Sequence, residues 1–262
     1  MPSLPTAPPP FPLELRIKRR PVRLVLVGVL IALAAIGWFS LHRAPKPQQP
    51  IGLFTALPIW LGRTAIADEL QPDARPHWAR AELQRYGTVV PLDTLDAAGG
   101  SDPLRGVTRL ILAQPRVLTP AENVALDNWV RGGGHLLLII DPAYTEESPF
   151  ALGDPRRPPA QAMLSPILTR WGLELQFDSA QPLELRLQDV MGAQVPTVLA
   201  GTFATRGQGN CRLWGGGIAV TCAIGKGRIL ALADAALLER DDPDGAGAKA
   251  FSALLDSAFA AN

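Results

Sequence analysis

Leu118–Pro142 reads LTPAENVALDNWVRGGGHLLLIIDP. Thr119-Pro120-Ala121-Glu122 carries the marks of a helix start: a hydroxyl placed to cap, a proline whose missing N–H costs nothing at the first helical position, and a glutamate three residues after the cap that bonds back. Val124, Leu126, Trp129 and Val130 continue the helical pattern until Gly132-Gly133-Gly134 stops it. His135–Ile140 follows at once as a run apolar on both faces, the pattern of a strand covered by helices on each side.

Working outward, Ile51–Thr55, Thr88–Leu92, Arg109–Ala113 and Arg228–Ala233 are apolar runs of the same kind, and Trp78–Tyr86, Ala160–Trp171 and Ala248–Ala260 read as helices. This alternation predicts an α/β domain built on a mostly parallel, doubly wound sheet. Glu146–Pro159, with Pro149, Pro155, Pro158 and Pro159, reads as a long surface loop within it.

Leu24–Leu41, LVLVGVLIALAAIGWFSL, holds no charge, Asn, Gln or Pro over 18 residues, enough for one transmembrane helix ahead of the α/β domain. A cleaved signal peptide would have a shorter apolar region and an A-x-A-like site. Arg16, Lys18, Arg19, Arg20 and Arg23 precede the segment, and only Arg43 and Lys46 follow closely, which predicts a cytoplasmic N-terminus. The expected organisation is a Pro-rich, basic cytoplasmic tail (1–23), the span (24–41), a linker (42–50) and a periplasmic domain (51–262), in a single-pass inner-membrane protein. Residues 44–262 hold 19 basic and 23 acidic residues, a balance that excludes a nucleic-acid-binding domain.

Cys211 and Cys222 are the only cysteines. In CRLWGGGIAVTC a two-residue turn at Gly216-Gly217 sets Cys211 opposite Cys222 across a hairpin, close enough for a disulfide. A three-residue turn that includes Gly215 would shift that register.

Asp93, Asp141 and Asp234 each follow an apolar strand, so a parallel sheet gathers them at the edge where ligands of α/β proteins bind. The competing reading is that each accepts backbone N–H groups of the next turn. His42, His77 and His135 match no metal spacing. Neither G-x-S-x-G nor a Walker motif occurs, and no metal or cofactor is expected.

Leu118–Pro142, followed by LSPILTRWGLEL (Leu164–Leu175), GKGRILALADAALLE (Gly225–Glu239) and AKAFSALLD (Ala248–Asp256), resembles the extracytoplasmic domain of gliding-motility-type ABC transporter auxiliary proteins. Those domains are similar in fold to class I glutamine amidotransferases and lack their enzymology. RLILAQP likewise runs into Arg116 without a Cys or Ser at the turn where a nucleophile would sit. The resemblance implies a non-catalytic, membrane-anchored accessory subunit of an ABC-type transport or envelope system, partnered by the membrane and by a permease and ATPase on other chains. The alternative is a membrane-anchored hydrolase or transferase that uses the acidic strand edge. A ligand-sensing domain is a third class, disfavoured by a cytoplasmic tail too short to relay a signal.

Overall fold

The chain divides into Met1–Pro47 and Gln48–Asn262. The computed structural model describes residues 29, 49–60, 77–148, 150–154, 157–207, 210–239 and 245–260. The tail 1–23 and, apart from Val29, the expected span Leu24–Leu41 lie outside the described residues. No helix among the described residues is long and apolar enough to cross a membrane, so the expectation of a fold preceded by a transmembrane helix is not carried forward.

In the second part, β1 (Ile51–Thr55), β2 (Val89–Pro91), β3 (Arg109–Ala113) and β4 (His135–Ile139) pair in parallel in the order β2-β1-β3-β4, and β11 (Gly227–Leu232) lies parallel beside β4. Beyond β11 the sheet changes sense, because β10 (Ala219–Ile224) and β9 (Cys211–Trp214) pair antiparallel. Two separate antiparallel ribbons are formed by β5 (Leu173–Gln176) with β8 (Thr202–Thr205), and by β6 (Arg186–Val190) with β7 (Ala193–Thr197).

The expected mostly parallel, doubly wound sheet is therefore corrected to a mixed one: β2-β1-β3-β4-β11 are parallel, and β10 and β9 add an antiparallel edge. The physical reason lies in two glycine turns. Gly215–Gly217 and Gly225-Lys226 join successive strands too tightly for the crossover that parallel pairing requires.

Helices cover both faces. α1 (Trp78–Tyr86), α4 (Ala236–Glu239) and α5 (Ala246–Phe259) lie over Leu53, Ile111, Leu137, Ile139 and Leu230. α2 (Pro120–Arg131) and α3 (Ser165–Arg170) lie over Leu110, Leu112, Leu136, Leu138 and Ile229. Alternate residues of β3 and β4 thus feed opposite cores, and the central strands are buried throughout.

α2 starts as its sequence predicts. The Thr119 hydroxyl accepts from the Glu122 amide, and Glu122 Oε2 accepts from the Thr119 amide. Glu122 also accepts from the Leu95 amide, the Thr94 hydroxyl and both terminal nitrogens of Arg116. Burial alone would raise this carboxyl. The Arg116 guanidinium and the Thr119 and Leu95 amides outweigh it and hold the carboxyl at about 2, against an ordinary 4.5. The stability Glu122 contributes is whole above its ordinary value and is lost as pH falls towards about 2. Denaturant unfolding of Glu122→Gln at pH 7 should show a loss of about 1–3 kcal/mol that shrinks between pH 4.5 and 2; a constant loss across that window would refute the role of its charge.

Cys211 faces Cys222 in the β9–β10 ladder and the two are disulfide-bonded, with Cα atoms 4.1 Å apart. The turn itself is longer than the two-residue one first expected. Trp214 pairs with Ala219, so Gly215–Ile218 form the loop and the register is unchanged. Gly215, Gly216 and Gly217 have φ of 55°, 69° and 101°, which explains a run of three glycines there. Replacing both cysteines by serine should lower unfolding stability by about 2–3 kcal/mol in denaturant melts, as expected for closing a short loop; unchanged midpoints would show that the edge hairpin stands without its cross-link.

Candidate functional site

At the carboxyl end of the parallel strands, polar side chains take over where the apolar runs stop. The Thr55 hydroxyl donates to the Ala113 carbonyl at 2.7 Å and accepts from the Leu57 amide at 2.9 Å. Gln114, next along the edge, is fully buried with φ 38°, a left-handed conformation uncommon for a residue with a side chain. Its carboxamide donates to the Asp141 and Pro159 carbonyls and accepts from the Asp141 amide at 2.7 Å. One side chain thereby fixes the exit of β4. The sequence reading passed over Gln114; a polar residue directly after the apolar run RLILA was the available signal.

Asp141 and Asp234 stand at the ends of the adjacent strands β4 and β11, 1% and 0% exposed. Asp141 accepts from the Ala143 amide at 2.7 Å and from the Ala235 amide at 3.3 Å. Asp234 accepts from the Ala236 amide at 2.6 Å and the Val198 amide at 2.8 Å. Burial pushes the Asp234 carboxyl well above the usual carboxylate range, and the charge of Asp141 pushes the same way, against the pull of the two amides. The structure brings these two carboxyls together and leaves Asp93 apart. Asp93 is exposed beyond the edge strand β2, where its carbonyl accepts from Arg116.

A cleft of about 650 Å³ opens between Thr145–Glu147 and Leu183–Leu185, with Val198 in its lining. The buried pair holds both sides of it: Asp141 binds the amide at the start of the 143–148 loop, and Asp234 binds the amide of Val198 itself. Tyr144 donates to Glu146 Oε2 at 3.4 Å. Among the described residues no three His, Cys, Asp or Glu side chains gather as a metal site needs. His77 serves structure: its Nδ1 accepts from the Ala79 amide as the cap of α1, and its Nε2–H donates to the Leu238 carbonyl.

No family model matches the sequence, and no curated protein matches it. In structure the chain is similar to an exo-β-1,4-mannosidase from an Opitutaceae bacterium (14% identity, TM-score 0.45, covering 81% of this chain and 36% of that one). It is also similar to a cold-adapted β-galactosidase from a Rahnella species (17%, TM-score 0.43, 92% and 35%). A third similar structure is a protein from Salmonella typhimurium described as cytoplasmic (10%, TM-score 0.48, 78% and 95%). The chain spans about a third of the length of the two glycosidases.

No family model or curated protein supports the expected resemblance to an ABC transporter auxiliary protein, and that expectation is corrected accordingly. With it go the expectations it carried, a non-catalytic accessory subunit and the absence of enzyme activity; the single-pass inner-membrane placement, which rested on Leu24–Leu41, is not carried forward either, since that segment lies outside the described residues apart from Val29. The motifs misled for a physical reason. A capped helix, a glycine turn and an apolar strand are what any helix-covered sheet requires, whatever its topology.

Because Asp234 is pushed up on folding, its contribution is fully present below its ordinary value of 3.8 and declines as pH rises, the unfolded carboxyl ionising first. The stability of Asp234→Asn, which has no such proton to lose, should therefore gain relative to the parent between pH 4 and 7 in denaturant melts; parallel pH profiles would place the proton elsewhere.

Proposed function

We propose that the domain is a hydrolase whose site is the cleft over the carboxyl ends of β4 and β11. The observation that carries this reading is the buried Asp141–Asp234 pair, tied by backbone hydrogen bonds to both sides of an open acidic cleft. The pair is too deeply buried to touch a substrate and acts by position. It fixes the 143–148 loop and Val198, so that carboxylates on that loop meet a bound molecule in a set geometry. Glu146 and Glu147 line the cleft and supply the acid and base groups. Proton donation to a leaving oxygen by one carboxyl and activation of water by another is the chemistry by which glycosidic bonds are cleaved, so glycosides are the substrate class favoured.

The test is a panel of aryl glycosides, with aryl esters alongside, given to the full chain. Turnover of a glycoside is expected, and Glu146→Gln/Glu147→Gln should lower kcat by about 100-fold or more with an unchanged circular-dichroism spectrum. Asp234→Asn should lower activity through Val198 on the other side of the cleft, whose amide Asp234 holds. No turnover across the panel, or an undiminished rate in the double variant, would overturn the reading.

A further inference from the structure

Away from the buried pair, ribbon β6–β7 combines an open edge with an exposed apolar stripe. Among the described residues β6 pairs only with β7, so its other edge presents backbone groups to another strand. Leu187 lies on β6 and Leu185 and Leu183 precede the strand at alternate positions; the three are 58%, 56% and 72% exposed, whereas Val190 on the opposite face is buried. Three exposed leucines beside an open strand edge mark a surface for association.

The sequence of that edge names its occupant. Leu183-Glu184-Leu185-Arg186-Leu187 is its own antiparallel complement. Two copies related by a two-fold axis through Leu185 set Leu185 against Leu185, Leu183 against Leu187, and Glu184 against Arg186. Every cross-strand pair is then apolar with apolar or acid with base, as stable ladders prefer. A shift of one residue sets two of the three leucines against Glu184 or Arg186. A two-fold at Leu187 sets Leu185 against Asp189, and it also falls nearer the closed half of the strand, where Gly215 lies so near that a Cβ there would come within 3.0 Å of the Asp189 carbonyl. Glu184 and Arg186 are available, since their side chains are 56% and 46% exposed and now pair only with each other at 2.5 Å.

We propose that the protein forms a two-fold dimer through antiparallel pairing of β6 with β6 of a second copy, β6 extending back through Leu183 and the two ribbons joining into one four-stranded sheet. Leu183, Glu184 and Leu185 also line the cleft, so the paired strands would flank it; the pairing rests on the ribbon's own residues, and sedimentation and cross-linking read it apart from turnover.

The experiment uses the full chain in sedimentation velocity over a range of concentrations, together with oxidative cross-linking. Both native cysteines are committed to one disulfide, so an introduced thiol reports cleanly. Leu185→Cys should cross-link into a covalent dimer, because directly opposed residues of an antiparallel pair have Cα atoms about 4.5–5.5 Å apart. Gln188→Cys, off the axis, should not. Glu184→Arg should weaken the dimer about tenfold by setting two arginines against two, and Glu184→Arg/Arg186→Glu should restore it. A chain monomeric at every concentration, or a dimer that Leu185→Cys does not capture and that the charge swap does not rescue, would overturn the proposal.

Discussion

The central strands β3, β4 and β11 are buried on both faces, and this constraint governs most of what surrounds them. Side chains along these strands must be apolar, since a polar group there would lose its water and find no partner. Polarity is consequently deferred to the strand ends. Gln114, Asp141 and Asp234 all sit one step past an apolar run, and each takes up backbone amides that the turning chain would otherwise leave unpaired. The carboxyl edge is polar because the sheet above it cannot be.

Buried charge elsewhere obeys the same accounting. Asp127 on α2 is 2% exposed, yet it accepts from Arg131, Arg170 and the Trp171 indole, joining α2 to α3, and its carboxyl is held below the usual range despite the burial that opposes this. Glu122 does likewise between α2 and the loops around Leu95 and Arg116. Asp234 differs in kind: its partners are two amides and its near neighbour is another carboxyl. Where arginine lowers the first two carboxyls, burial and the neighbouring Asp141 raise the third.

What was legible in the sequence was local. The capping box at Thr119 and Glu122, the apolar runs Ile51–Thr55 and Arg109–Ala113 and the register that opposes Cys211 to Cys222 each follow from spacing and residue type within one segment. Strand order was not legible, since which strand lies beside β11 depends on packing between residues far apart in the chain. Ribbons β5–β8 and β6–β7 were missed because their strands are short and polar, as in Arg186–Val190, where only Val190 is buried. The site was half visible. Asp141 and Asp234 were marked by their place after strands, but their union needed β4 and β11 to be neighbours, and Asp93 was misplaced by the same rule because β2 lies at the far edge.

Adjacency of β4 and β11 has a further consequence for the cleft. These strands pair in register, yet the chain leaves β4 near residue 140 and does not return to the sheet beside it until Gly227, having built α3 and both ribbons in between. A long excursion between paired strands must be secured near its root or it adds conformational entropy without contact. Asp141 secures its departure through Ala143, and Asp234, at the far end of β11, reaches back to Val198 within it. The cleft occupies the space between those anchorage points, so its shape is set by hydrogen bonds from the most rigid part of the sheet, while β6, farther along the same excursion, keeps an unpaired edge.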